Sequence, residues 1–114
     1  MTGYYELKRS GEAGYMFNLK AGNHETILTS QIYAGKDGAQ NGIASVQANS
    51  LLDEKFERKV AADGSAYFVL TAMNGQAIGT SEMYSSLASR DIGIESVCAN
   101  GGTKTIKEID SRAE

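Results

Sequence analysis

Residues Thr29–Asn49, TSQIYAGKDGAQNGIASVQAN, return at Thr80–Asn100 as TSEMYSSLASRDIGIESVCAN. Thr-Ser, a Tyr shortly after, and Gly-Ile-x-Ser-Val-x-Ala-Asn recur at one offset without a gap. Working outward from this echo, a shift of 51 residues aligns Tyr5–Asn49 with Phe56–Asn100, with 16 identities among 45 pairs. One unit is therefore written twice, and internal repetition decides the architecture before any local pattern does. Positions kept in both copies are those the shared fold demands.

Within each copy the hydrophobic period is first 2 and then helical. Tyr5 and Leu7 alternate with Glu6 and Lys8, and Phe17 and Leu19 with Asn18 and Lys20, the pattern of strands with one wet face. Glu25–Thr29 reads as a third strand with Ile27 inward. Between strands two and three stands Gly22-Asn23-His24, matched by Met73-Asn74-Gly75. Asn-Gly between strands predicts a two-residue type I′ hairpin, with His24 in the slot of Gly75. Ala39, Ile43 and Val46, and then Leu87, Ile94, Val97 and Cys98, predict one helix per copy. Ser85 is the expected N-cap of the second helix, and Asn49 and Asn100 are expected left-handed C-caps. Gly42 and Gly93 lie mid-helix, where glycine costs about 1 kcal/mol against alanine. A close approach of helix to sheet is the expected reason. The prediction is β-β-β-α, β-β-β-α, β. This is an α+β fold whose antiparallel sheet carries both helices on one face. It is one domain, 1–114: repeat one 4–50, repeat two 55–101, a closing strand 103–109 and a charged tail 110–114.

Composition limits the function classes. The chain has 114 residues, 41% hydrophobic and 22% charged, as in soluble globular domains. A net charge of −3 supplies no general attraction for nucleic acid or anionic lipid, so no membrane partner is expected and nucleic acid ranks last among partners. No apolar run approaches the length of a membrane helix. MTGYYELKRS has no secretory core, and the single Cys98 fits a reducing compartment; a cytoplasmic location is expected.

Tyr-Glu-Leu-Lys at the start, Phe-x-Leu-Lys-Ala-x-Asn in strand two, Ile-Leu-Thr-Ser before the Tyr, and Gly-Ile-x-Ser-Val-x-x-Asn in the helix resemble the YegP-like family. This is a bacterial domain of unknown function found singly or in tandem. The resemblance spans about residues 4–109. It implies that the two units exchange C-terminal strands within one continuous sheet, as single-repeat relatives would do as dimers. Two units that complete one sheet within one chain need no partner, so a monomer is expected. Two places depart from the family's pattern: Arg58 stands at the place of the inward Leu7, and Leu51-Leu52 is more apolar than the usual linker. The resemblance transfers no activity and no functional residue.

The residues carry no catalytic signature, metal set or cofactor motif, so no catalytic residue, metal or cofactor is expected. His24 reads as a turn residue and Cys98 as a small packing residue. The candidate ligand-binding residues are Thr29, Ser30, Tyr33 and their repeats Thr80, Ser81, Tyr84, a polar set duplicated about an internal axis. Local hydrogen bonding at the strand end is the plainer account of the hydroxyls. The uncovered sheet face would show Glu6, Lys8, Asn18, Lys20, Thr26 and Leu28. Repeat two would show Glu57, Lys59, Val69, Thr71, Ala77 and Gly79, with Tyr67 at the strand's start. Three functions are expected in this order: a non-catalytic module binding a protein partner through the open face or an edge strand; a small-ligand protein or enzyme with a pocket where the repeats meet; a weak single-stranded nucleic-acid binder.

Overall fold

The structure is a computed structural model describing residues 3–11 and 14–109. The proposed tail 110–114 and part of the first turn fall outside the described residues. Repeat one supplies β1 (Tyr4–Ser10), β2 (Gly14–Lys20), β3 (Thr26–Ser30) and α1 (Lys36–Asn49). Repeat two supplies β4 (Phe56–Val60), β5 (Ala66–Thr71), β6 (Ala77–Thr80) and α2 (Leu87–Asn100), and β7 (Ile106–Ile109) follows. A 3-10 turn, Asp53–Lys55, precedes β4.

Among the described residues the strands form one sheet in the order β4-β5-β6-β3-β2-β1-β7. The repeats meet at β3 and β6, which pair antiparallel with Thr29 opposite Thr80. An internal twofold therefore passes through the centre of the sheet. The strand after each helix lies in the other half: β4 pairs with β5, and β7 pairs with β1. The sheet is antiparallel except at β7, which joins β1 in parallel. Symmetry explains the exception. The strand after α1 takes the outermost place of the opposite half. The matching place for the strand after α2 already holds β1, running in the same direction. The chain adds outside β1, and only a parallel pairing is open to it.

The helices lie on the face carrying Tyr5, Leu7, Phe17, Leu19, Phe56, Phe68 and Leu70, all buried. α1 packs on β1 and β2 and also on β5 and β6; α2 packs on β5, β3 and β2. Each helix thus spans both repeats, so neither half has a core of its own. Removing side chains of this size from water stabilises by about 1.5–3 kcal/mol each.

The third strands differ from the period-2 expectation. A bulge shifts the β2–β3 register beside Lys20 and the β5–β6 register beside Thr71. Leu28 therefore lies opposite Leu19, and Gly79 opposite Leu70, on the helix face. Thr29 and Thr80 take the open face instead. An extra residue inverts the alternation beyond it.

The hairpins also depart from the two-residue prediction. In the turn after β2 the His24 N–H bonds to the Ala21 carbonyl, and the Ala21 N–H to the Glu25 carbonyl. Ala72–Gln76 and Ala61–Ser65 repeat these bonds. The third loop residue is left-handed each time: His24 (φ 73°), Gly75 (φ 83°) and Gly64 (φ 89°). The Asn23, Asn74 and Asp63 side chains each accept the N–H two residues on. These are three-residue loops locked by an Asx turn. His24 does hold the slot of Gly75.

Ser86, one residue after the expected Ser85, caps α2 by accepting the Ser89 N–H. Asn49 and Asn100 are not left-handed caps. Each remains helical and donates its side-chain amide to the carbonyl four residues back, Ser45 or Ser96, at 2.8 Å. Leu87 begins α2 and is exposed, and the inward place of Ala39 is taken in repeat two by Arg90.

Candidate functional site

The six repeated residues do not converge. Thr29 and Thr80 face each other on the open side of the sheet. Ser30 and Ser81 are buried where β3 and β6 leave it. The Ser30 hydroxyl accepts the Phe17 N–H at 2.9 Å and donates to the Gln31 carbonyl at 2.6 Å. Ser81 does the same with Phe68 and Glu82, at 3.0 and 2.7 Å. These hydroxyls satisfy strand edges that the departing chain would leave bare. The plainer account of them holds.

Tyr33 and Tyr84 lie on the helix side. The backbone of Tyr33 bridges to Tyr15, and that of Tyr84 to Ala66. Each ring stacks on the phenylalanine of the second strand: Tyr33 on Phe17 at 6.3 Å, Tyr84 on Phe68 at 6.5 Å. Each ring also lies across a mid-helix glycine. A Cβ at Gly42 would stand 2.9 Å from Tyr33 Cζ, and one at Gly93 2.7 Å from Tyr84 Cζ. The expected close approach is thus made by a tyrosine ring rather than the sheet backbone.

Beside each tyrosine is a cleft built from both repeats. The first, about 290 Å³, is lined by Gln31, Tyr33, Gln76, Ala77 and Ile78, with Asn41 and Asn74 at its sides. The second, about 340 Å³, is lined by Glu82, Tyr84, Glu25, Thr26 and Ile27. These five are, one by one, the repeat counterparts of the first five. The twofold builds one cleft twice. Two Gln of the first are replaced by two Glu in the second, so the clefts share five lining positions and differ in charge. Burial pushes both tyrosine hydroxyls above their usual range, and at Tyr84 the Glu82 and Glu25 carboxylates push further. Both remain protonated donors at neutral pH.

Repeat identity singled out Tyr33 and Tyr84 and missed the four Gln and Glu. These match in size but not in name, and only the twofold places residues 25 and 82 together.

A third cleft, about 380 Å³, lies between β1, the start of α1 and β7. Its walls include Tyr15, Arg9, Lys36 and Glu108. Lys36 pairs with Glu108, and the Arg9 guanidinium lies over the Tyr15 ring at 5.6 Å.

The other chemical candidates have local partners. His24 Nδ1 lies 2.8 Å from the Tyr4 hydroxyl. Burial, and then Asp53 and Glu95, push the Cys98 thiol up, away from the reactive thiolate. Among the described residues no cluster of three metal-binding side chains occurs, and no helix is long and apolar enough to cross a membrane.

The sequence profile of a domain of unknown function, DUF1508, matches twice, over residues 12–57 and 61–108. Each match runs from the second strand of a repeat through its helix to the strand after it. A UPF0339 protein of Shewanella oneidensis is 54% identical over 109 residues, covering 96% of this chain and 99% of the relative. The UPF0339 protein YegP of Escherichia coli is 50% identical, covering 95% and 98%. The solution structure of the E. coli YegP protein, described as of unknown function, matches with a TM-score of 0.92 and 49% identity, covering 97% and 96% of the two chains. A solution structure of a UPF0339 protein from S. oneidensis matches with 0.92 and 52% identity, covering 100% and 97%. Two profile matches, identity near one half along almost the whole length, and a superimposable duplicated sheet place this chain in the DUF1508 family of YegP-like proteins, whose function is unknown.

Proposed function

We propose that this protein is a non-catalytic, cytoplasmic small-ligand-binding module, acting as a monomer through the paired clefts at the repeat junction. The observation that carries this reading is the one-to-one match, across the twofold, of all five lining positions of the second cleft with five of the first. Each cleft needs both repeats, so duplication of one unit creates it. Its size lies near the lower end of small-molecule sites, and it presents a few convergent polar groups on an apolar floor. The first cleft has uncharged donors and acceptors: the amides of Gln31, Gln76 and Asn41 and the Tyr33 hydroxyl. It suits a small neutral molecule bearing amide or hydroxyl groups.

The open sheet face supports a partner less well. Tyr4, Asn18, Val69 and Thr71 are each under a tenth exposed there. The polar ones already bond within the chain: Tyr4 with His24, Asn18 with Thr29, Thr71 with the Lys55 carbonyl.

The test is a thermal-shift screen with small neutral polar metabolites, followed by amide chemical-shift mapping of any hit. The expected result is a stabilising ligand whose shifts centre on Gln31, Asn41 and Gln76, is lost in Gln31→Ala/Gln76→Ala, and leaves a 12.2 kDa monomer in sedimentation. Shifts centred on Asn18, Thr29 and Thr80 would move the site to the open face. No stabilisation by any compound at millimolar concentration would overturn the reading.

A further inference from the structure

β1 and β4 are the two copies of one strand, yet their outer edges differ. The outer edge of β1 is covered by β7, in parallel, with the Tyr5 N–H donating to the Thr105 carbonyl at 2.9 Å. β4 ends the sheet. Its first outward N–H, that of Phe56, is closed by the Asp53 carbonyl of the 3-10 turn. Alternation along the strand turns the Arg58 N–H to the same side.

The chain itself shows what fits such an edge. In β7 Ile106 lies opposite Tyr5 and Glu108 opposite Leu7. Glu108 faces the helices, where it pairs with Lys36 at the start of α1. On β4 the counterpart of Leu7 is Arg58. On α2 the counterpart of the buried Ala39 is Arg90. A strand seated on β4 as β7 sits on β1 would place its third residue opposite Arg58, close to Arg90. The side chain of Arg90 is nine-tenths buried, and its Nε has no hydrogen-bond acceptor; the Asp91 carboxylate stands 3.6 Å away. Its Nη1 reaches the Lys59 carbonyl only at 3.5 Å. Arg58 is held by Asp53 at 2.9 Å and lies 3.8 Å from Asp91. Repeat two thus has two guanidinium groups on the helix side of its free edge, where repeat one has Leu7 and Ala39.

We propose that β4 is a docking edge for an extended peptide of a partner protein, added in parallel. The peptide carries an aliphatic residue opposite Phe56 and a carboxylate opposite Arg58. Backbone pairing supplies adhesion, and the carboxylate–guanidinium contact fixes register and direction. The inference stands on the sheet edge and not on the junction clefts, so either reading can fail without the other.

The probe is a synthetic peptide with the sequence of Thr103–Ile109, TKTIKEI, titrated into the full chain and followed by amide chemical shifts and hydrogen exchange. The expected result is perturbation along Phe56–Val60, at least tenfold slower exchange of the Arg58 N–H, and unchanged β1 amides. A Glu108→Lys peptide should bind at least tenfold more weakly, and Arg58→Glu in the protein should restore its binding. The spectrum of that variant reports whether it is folded. A second variant, Arg90→Met, keeps the buried volume and should weaken the Glu peptide without rescuing the Lys peptide. Perturbation confined to β1 and β7 would mean exchange with the resident strand and would overturn the proposal. So would no change in β4 at millimolar peptide. Protection of Arg58 that grows with protein concentration alone would assign the edge to a second copy and overturn the peptide partner.

Discussion

Ser81 shows what a hydroxyl kept in both repeats does for the fold. β6 leaves the sheet at Thr80, and the Phe68 N–H on β5 would be left without an acceptor in a buried place. The Ser81 oxygen fills that gap, and its own proton goes to the Glu82 carbonyl. Ser30 does the same for Phe17. Leaving a buried N–H unsatisfied costs about 1–3 kcal/mol. Ser81→Ala should therefore lower the melting temperature by several degrees, about 3–10 °C in a domain of this size. Thr80→Ala, on the open face, should lower it much less. Circular-dichroism melts compare the two, and equal effects would contradict the assignment. Tyr5 is a second residue whose role is set by burial. Its hydroxyl donates to the Gly101 carbonyl at 2.5 Å, and burial holds its pKa well above the usual value for tyrosine. The folded value exceeds the unfolded one, so its contribution is whole below about pH 10 and is lost as the pH rises beyond it. Melting temperatures should fall above about pH 10. Tyr5→Phe should start lower at pH 7, by about 1 kcal/mol for the lost bond, and fall less steeply in alkali. An identical alkaline slope would place the sensitivity in other groups.

At the scale of the element, the helix glycines and the strand-end tyrosines form one joint. The tyrosine stands three residues after the serine, stacks on the phenylalanine of the second strand, and lies across the helix at Gly42 or Gly93. The helix gives up propensity to seat a ring. Gly93→Ala gains helix propensity of about 1 kcal/mol, yet the added methyl meets the Tyr84 ring, and overpacking of this kind costs about 1–3 kcal/mol. The net effect should be destabilising in the full chain. In a Tyr84→Leu background, where the ring is gone, the same change should be neutral or stabilising. A double-mutant cycle in denaturant measures the coupling. Additive effects would remove the joint. The helix pattern and both glycines were legible in the sequence. The ring that crosses them was not, because Tyr33 and Tyr84 lie outside both helices and outside the strands they bridge to.

In the whole molecule, the internal twofold is broken only at the ends. β7 covers β1, and among the described residues nothing covers β4. Around β7 the C-terminal part of repeat two is tied to repeat one. The Tyr5 hydroxyl holds Gly101, the Gln47 amide donates to the Thr103 carbonyl at 2.9 Å, and the Gly3 N–H donates to the Asn100 side chain at 3.0 Å. The helices add to this closure by packing on both halves. The same asymmetry makes β4 one outer edge of the sheet and β7 the other, with Arg58 and Arg90 beside β4.

The sequence by itself determined the duplication, the type and order of the elements, most of the core and the left-handed slot shared by His24 and Gly75. Each of these is written locally, in a period, a spacing or an aligned pair. Only the tertiary structure decided that Leu28 and Gly79 turn inward, because a bulge is set by the neighbouring strand's register and leaves no mark in composition. It alone decided that β7 runs parallel, because that follows from which place in the sheet is already occupied. It alone brought Glu25 to Glu82 and Gln31 to Gln76, because the pairing of β3 with β6 folds distant residues onto one axis that no sequence distance records.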